Sequence, residues 1–366
     1  MKKSINKISS KLLVVLILGS FVFVGASCTN LSTKYKDGGI FVSIDQAESW
    51  QQMAFIRTEK KKELNISSAN IRTIEFDPIN SEKIWLGTEA DGIYYTENGG
   101  NNWVETHFKE GKFLDIAINP KNTDTLYTVN SNNIYKSIDK GEAWDIVYTE
   151  TTGASITQID VDWYSPKNII ATTSTGTVLK SYDYGTNWSV LHRTKKGLEI
   201  TELVVNPHDS REMFIVSKDS GFEKTIDGGA TWTEMEDTLK EFSDAKKIKK
   251  LMVSPSSRNT LYIASYYGLL KSVDKGNSWT VVSTLVPAKS AVVRNIVIDP
   301  ENSKTMYFTV ENLIHKTTDG GVSWKTIENF PSGRLIYKLI LSPDEHEVIY
   351  AGTYEQESPN KTPFGF

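Results

Sequence analysis

An all-β ring of seven four-stranded blades is the fold this sequence predicts, and three observations predict it. An eight-residue turn pattern recurs seven times, at steps of 53, 41, 44, 44, 47 and 45 residues. Each interval carries the same succession of β-rich segments, and the first and last units are incomplete in complementary ways. A regular period of this length marks a repeat architecture rather than a string of separate domains.

The octet has the form Ser/Thr-x-Asp-x-Gly-x-x-Trp. It reads SIDQAESW at 43–50, TENGGNNW at 96–103, SIDKGEAW at 137–144 and SYDYGTNW at 181–188, then TIDGGATW at 225–232, SVDKGNSW at 272–279 and TTDGGVSW at 317–324. A short carboxylate accepting backbone N–H groups closes a tight turn, glycine supplies a positive φ, and tryptophan is a large apolar anchor. The residues expected to close the turns are Asp45, Asn98, Asp139, Asp183, Asp227, Asp274 and Asp319, with a structural rather than catalytic or metal-binding role. Two octets depart from the pattern, with Ala47 for glycine and Asn98 for aspartate.

Before each octet comes an alternating apolar segment ending near a proline, such as IRTIEFDP from 71, FLDIAINP from 113 or ITELVVNP from 200. A β-rich run follows (KIWLGT, TLYTVN, EMFIVS), then a short strand leading into the octet (GIYYT, NIYKS, GLLKS). The unit is therefore strand A, a proline turn, strand B, a hairpin, strand C, the octet turn and strand D. Four antiparallel strands in about 45 residues make a propeller blade. The C-terminal unit holds only IYKLILSP and VIYAGT, while the N-terminal one begins with GGIFVSIDQAESW, a strand C and octet lacking A and B. Joined, they complete a seventh blade and leave no open sheet edge.

Composition narrows function by exclusion. The 366 residues carry a net charge of −4 and one cysteine, which excludes a disulfide framework, a cysteine zinc cage and a basic nucleic-acid binder. The five histidines show no metal-ligand spacing, and no metal or cofactor is expected. Lys2, Lys3, Lys7 and Lys11 precede an uncharged apolar run from Leu12 to Ala26, the order of a bacterial export signal. Removing residues 1–27 takes four lysines and no acid, leaving an acidic chain at −8. The expected organisation is a signal peptide at 1–27, a tether at 28–38 and a single propeller at 39–366.

Cys28, directly after Gly25-Ala26-Ser27, resembles the lipobox of bacterial lipoproteins, in which that cysteine is acylated; Gly25 departs from the usual branched residue. The octets resemble the Asp-box (BNR) repeats of sialidases, sortilin-type receptors, xyloglucan-cleaving hydrolases and photosystem II assembly factors. The last group is the closest in size. This resemblance implies a fold and is nearly silent on activity.

In such a ring the A–B and C–D turns share one face, and the B–C hairpins and D–A connections share the other. Ligands are expected on the hairpin face. Strand A is innermost, and its polar positions Thr73, Asp115, Gln158, Glu202, Lys250, Asn295 and Lys338, preceded by Arg72, Lys249, Arg294 and Tyr337 among others, should ring the channel mouth. Arg193, Lys195 and Lys196, with Lys246, Lys247, Lys249 and Lys250, form either a basic partner-binding patch or a solvated run neutralised by Glu234, Glu236 and Asp244. Recruiting Arg72, Arg294, Arg334, Tyr337, Glu202 and Asp115 into a sialidase-like site would need three arginines on one carboxylate. The functional expectation is a non-enzymatic, monomeric envelope lipoprotein, membrane-held through Cys28 and facing outward from the cytoplasm, that binds a protein partner as an assembly or scaffold factor. The alternative is a carbohydrate-active enzyme or glycan binder.

Overall fold

The computed structural model describes residues 36–356. Cys28 and the export segment lie outside the described residues. Seven antiparallel four-stranded sheets and one separate hairpin make up the fold. With the strands of each blade lettered A to D, blade 1 is Ile71–Asp77, Asn80–Thr88, Ile93–Thr96 and Val104–Glu105. Blade 2 is Asp115–Ile118, Leu126–Val129, Asn133–Ser137 and Asp145–Thr149. Blade 3 is Ile156–Val161, Ile169–Thr173, Thr177–Ser181 and Ser189–Arg193. Blade 4 is Ile200–Val205, Met213–Ser217, Phe222–Thr225 and Thr233–Glu234. Blade 5 is Ile248–Val253, Leu261–Ser265, Leu269–Ser272 and Thr280–Val281. Blade 6 is Asn295–Ile298, Met306–Val310, Leu313–Thr317 and Lys325–Ile327.

Blade 7 is made from both ends of the chain. Leu335–Leu341 and Ile349–Tyr354 are its strands A and B, and Ile40–Ser43 and Gln51–Gln52 its strands C and D. Its closing register is Ile40↔Gly352, Phe41↔Ala351, Val42↔Tyr350 and Ser43↔Ile349, the pairing that the complementary half-units predict. Strand B is buried along its whole length in blades 3 to 6, because each blade is covered on both faces by a neighbour. Such strands read as continuous apolar and β-branched runs rather than alternating ones.

Each octet is a clip between blades. In all seven the third-position carboxylate or amide accepts a hydrogen bond from the first-position hydroxyl and another from the seventh-position N–H. The same hydroxyl accepts from the fifth-position N–H, as in Gly276 N to Ser272 Oγ at 2.8 Å. These bonds hold Asp183, Asp227 and Asp274 at about 2, below the usual carboxylate range. Two successive residues, not the glycine alone, take positive φ: Lys275 at 59° and Gly276 at 84°, or Gln46 at 59° and Ala47 at 74°. The tryptophan then seats against the preceding blade, Trp279 edge-on to Phe222 at 6.0 Å and Trp50 edge-on to Phe330 at 5.2 Å.

A lysine at the penultimate position of strand C fastens the following clip. Lys136 donates to the carbonyl of Tyr184 at 2.9 Å, Lys224 to that of Lys275 at 3.0 Å and Lys316 to that of Gln46 at 3.1 Å. Replacing Ser272 with alanine removes the three clip bonds of its hydroxyl and leaves the buried N–H of Gly276 unmatched, an expected loss of about 1–2 kcal/mol. Ser272→Thr, the residue that three other clips use, should restore full stability in urea unfolding. An alanine variant as stable as the parent would reject the clip as a stabilising device.

Two features were not expected. Phe55–Glu59 and Lys62–Asn65 form a hairpin in the D–A connection from blade 7 to blade 1, packing Met53, Ala54, Ile56 and Ile66 against Trp103. The chain is also held before residue 39. Lys36 N donates to Ser67 Oγ at 3.0 Å, and Gly333 N donates to Asp37 at 3.1 Å, both within D–A connections of the hairpin face.

Candidate functional site

Strand A of every blade starts at the hairpin face and runs down the channel wall. In blades 1, 3, 4, 5 and 7 the A–B ladder shifts register just before the polar position, between Ile71 and Thr73, Ile156 and Gln158, Ile200 and Glu202, Ile248 and Lys250, and Ile336 and Lys338. An extra residue of this kind bends a strand and re-aims a side chain. In blades 1, 3 and 4 the polar side chain that follows the shift meets the next blade, and Asp115 and Asn295, in the unshifted blades 2 and 6, make the same kind of contact. Asp115 accepts from Ile159 N at 3.2 Å and from Thr73 Oγ1 at 3.2 Å. Gln158 accepts from Leu203 N. Glu202 accepts from Leu251 N at 2.6 Å and from Lys250 Nζ at 2.6 Å. Asn295 donates to the carbonyl of Ile336 at 3.1 Å. The predicted mouth ring is thus also a set of latches between strands A.

Two residues deeper, five blades present Ala117, Val204, Met252, Val297 and Ile340 to a central cavity of about 860 Å³. Blades 1 and 3 present Glu75 and Asp160 instead. Both side chains line the channel interior and are half-buried there, ringed by the strands A of the neighbouring blades. Burial, reinforced by the charges of Asp115 and Asp160, pushes Glu75 up to about 8, against the pull of Lys338 and Lys250. Burial and Asp115 push Asp160 up to about 7. Asp115 is raised too, again by burial first, although Lys338 and its hydrogen bonds oppose the shift.

These directions fix a pH dependence. Folded Glu75 and Asp160 keep protons that the unfolded chain releases near pH 4, so the ring loses stability as pH climbs from there to about 8. Water in the channel screens part of the effect, leaving about 1–3 kcal/mol between pH 5 and 9. The E75Q/D160N double variant should therefore show a flatter stability profile than the parent in urea unfolding and be the more stable of the two at pH 9. Parallel profiles would contradict the assignment.

The remaining predicted residues are placed differently. Arg72 pairs with Glu89 and donates to Tyr337 Oη at 2.9 Å and Tyr354 Oη at 3.3 Å. Arg334 pairs with Glu355 at 3.0 Å and Asp37 at 3.4 Å. Arg294 lines the cavity, with Nε buried and unpartnered and an Nη 4.0 Å from Glu311. No three arginines converge on one point among the described residues. The cationic connections are matched internally: Lys195 with Glu234 at 2.7 Å, Lys196 and Lys246 with Glu236, and Lys247 with Asp244 at 2.8 Å. Lys250 turns into the channel toward Glu202, Arg193 donates to Thr177 Oγ1 at 2.8 Å, and Lys249 lies 5.0 Å over the Tyr266 ring. Sequence reading passed over Glu75 and Asp160. Their signal was an acid at a strand A position where every other blade is apolar.

No protein-family model matches the sequence, and no curated protein matches it. Solved structures do match. A structure described as YCF48 bound to D1 peptide aligns with a TM-score of 0.62 at 17% identity, over 79% of this chain and 94% of that one. YCF48 from Cyanidioschyzon merolae aligns at 0.63 and 14%, over 78% and 95%. A GH74 enzyme from Niastella koreensis aligns at 0.57 and 16%, over 75% of this chain but 46% of its own, so the present chain spans about half that enzyme's length. At such identities the likeness is one of fold: the chain is a seven-bladed β-propeller.

Proposed function

We propose that this chain is an exported, lipid-anchored envelope protein whose propeller binds a segment of a protein partner at the hairpin-face mouth of its channel, as an assembly or scaffold factor and without catalysis. The observation that carries the reading is the mouth itself. Latches fix a polar ring around a cavity of about 860 Å³, room for a few residues of extended polypeptide. The resemblance of Cys28 to a lipidated cysteine supports the anchoring. So does the attachment of Lys36 and Asp37 to D–A connections, which brings the chain into the ring on the hairpin face. A propeller of the same fold is described with a peptide bound.

The test is site-specific photo-crosslinking in intact membranes. A photoreactive residue in place of Tyr266, at the mouth, should capture a discrete partner, and one in place of Ile226, exposed on a clip, should not. Equal capture from both positions, or from neither, would reject the reading, and Cys28→Ala should release the folded protein from membranes. A second reading, glycan hydrolysis, is favoured by one observation: the coupled carboxylates Glu75, Asp115 and Asp160, with Glu75 protonated near neutrality, have the acid and base character such a reaction uses. Release of reducing ends from oligosaccharides by the parent and not by E75Q would establish it in place of the first.

A further inference from the structure

Charge around the channel is segregated by blade. Along strands A and the residue just before them, acids stand on four consecutive blades, as Glu75, Asp115, Asp160 and Glu202, and bases on the other three, as Lys250, Arg294 and Lys338, while Glu199, Lys218 and Asp219 of blade 4 lie off strand A. Glu202 and Lys250 neutralise each other at 2.6 Å. Lys338 acts on both Glu75 and Asp115, but one cation answers one of the three remaining carboxylates. The interior therefore holds more carboxyl groups than cations, and Glu75 and Asp160 answer the excess by keeping protons that a bound cation would displace. Asp115 is fixed by Ile159 N and Thr73 Oγ1, whereas Glu75 accepts no hydrogen bond from any described side chain or backbone group. Among the described residues no three carboxyl or imidazole groups are arranged to hold a metal ion, so a bare ion is a poor fit. An ammonium group, whose three N–H donors sit about 2.8–3 Å from their acceptors and need no fixed coordination geometry, tolerates a wider and less regular set of oxygens than a metal ion does.

The mouth carries both signs: Lys218 is matched by Glu199 at 3.2 Å, with Asp219 beside them, whereas Arg294 has no ion-pair partner so close. Arg294 leaves Nε buried without an acceptor and is only loosely paired with Glu311. Lys249 stands beside it on blade 5, over Tyr266. A ligand with its positive end deep and its negative end at the rim would complete both sets.

We propose that the channel receives a primary ammonium group of the bound polypeptide, seated against the Glu75, Asp115 and Asp160 wall, while Arg294 at the mouth takes a carboxylate of the same segment. This deepens the peptide-binding reading and rests on it. The ammonium belongs either to the amino terminus or to a lysine side chain, which share this chemistry. Seating a cation favours ionised carboxylates, so affinity for a lysine ammonium should rise between about pH 6 and pH 8.5 as Glu75 and Asp160 lose their protons in the presence of Asp115, Asp162, Lys250 and Lys338. Affinity for an amino terminus, which loses its own proton at about pH 8, should rise and then fall across the same range.

Isothermal titration of the complete protein with three probes tests this. Tri-alanine carries a terminal ammonium, N-acetyl-Ala-Lys-Ala a side-chain ammonium, and N-acetyl-tri-alanine none. One of the first two should bind, which identifies the source, and the third should bind at least about tenfold more weakly. E75Q/D160N, checked for folding by far-ultraviolet circular dichroism, should weaken the binding probe by a similar factor. Arg294→Gln should weaken a probe with a free carboxylate and leave its amide unchanged. Equal binding of the acetylated probe, no binding of either ammonium probe, or indifference to E75Q/D160N would overturn the proposal. Crosslinking separates the two levels. If E75Q/D160N captures the partner from position 266 as well as the parent does, the ammonium seat is wrong and the partner reading stands. If the parent captures nothing while an ammonium probe binds in the channel, the seat stands and the partner reading fails.

Discussion

A chain ending at Arg334 should not form the ring: it is expected to be insoluble, or soluble without a cooperative unfolding transition. The cut removes strands A and B of blade 7, the two that stand between the channel and the N-terminal strand. Ile40–Ser43, buried at all four positions, would lose its partner from Ile349 to Gly352. The cut also deletes the fully or nearly fully buried Ile336, Leu339, Ile349, Tyr350 and Ala351, and uncovers Phe41 and Phe330. Each large buried apolar side chain is worth about 1.5–3 kcal/mol, so together they approach or exceed the roughly 5–15 kcal/mol by which a domain is stable. An exposed pair of strand edges would add a route to aggregation. Equilibrium unfolding followed by tryptophan fluorescence checks this. A sharp transition from the shortened chain would show that six blades hold without closure.

What sequence could reveal here depended on whether an interaction repeats. The octets recur with the same first-, third- and fifth-position chemistry, so their turns, the blade count and the sharing of blade 7 were readable. The lysine directly before the hydroxyl residue repeats too, in five blades as Lys136, Lys180, Lys224, Lys271 and Lys316, four of which bond to the following clip, and it needed only a reason to be noticed. The channel did not repeat. Glu75 and Asp160 break a pattern that is apolar in five blades, and a departure in two blades carries no periodic signal. The cationic connections were legible as charge but not as pairs, because Lys196 meets Glu236 and Lys195 meets Glu234 only when blades 3 and 4 lie side by side. The hairpin at 55–65 escaped because it belongs to no repeat and its strands bury little, Ile56 alone being buried.

Glu212 is the clearest case of a residue visible only in three dimensions, and its replacement should give the largest effect of any single side chain discussed. It opens the run EMFIVS just before strand B of blade 4, and its side chain is only 3% exposed. Its Oε1 accepts from Arg258 Nη2 at 2.5 Å and from Lys275 Nζ at 2.5 Å, and its Oε2 accepts from Asn206 Nδ2 at 2.8 Å. Arg258 and Lys275 belong to blade 5, so one carboxylate joins two blades on the clip face. Burial alone would raise the carboxyl, but Lys275 and Arg258 outweigh it and hold Glu212 below its ordinary value. A lowered folded value means that its contribution is present above the unfolded value near 4.5 and is lost as pH falls below it. Glu212→Gln keeps the shape and removes the charge, leaving two cations facing a neutral amide in a buried place. Breaking a buried pair from one side costs about 3–5 kcal/mol, and Asp209, 3.4 Å from Arg258, should reduce that to about 2–4 kcal/mol. Urea unfolding at pH 7 should show the loss, and the two proteins should converge as pH falls below the lowered value of the parent carboxyl. A loss of constant size across the whole acid range would mean that packing, not charge, is what Glu212 supplies. Because this junction lies on the face opposite the channel mouth, the folded variant should bind the ammonium probes as the parent does, which separates the stability of the ring from the chemistry inside it.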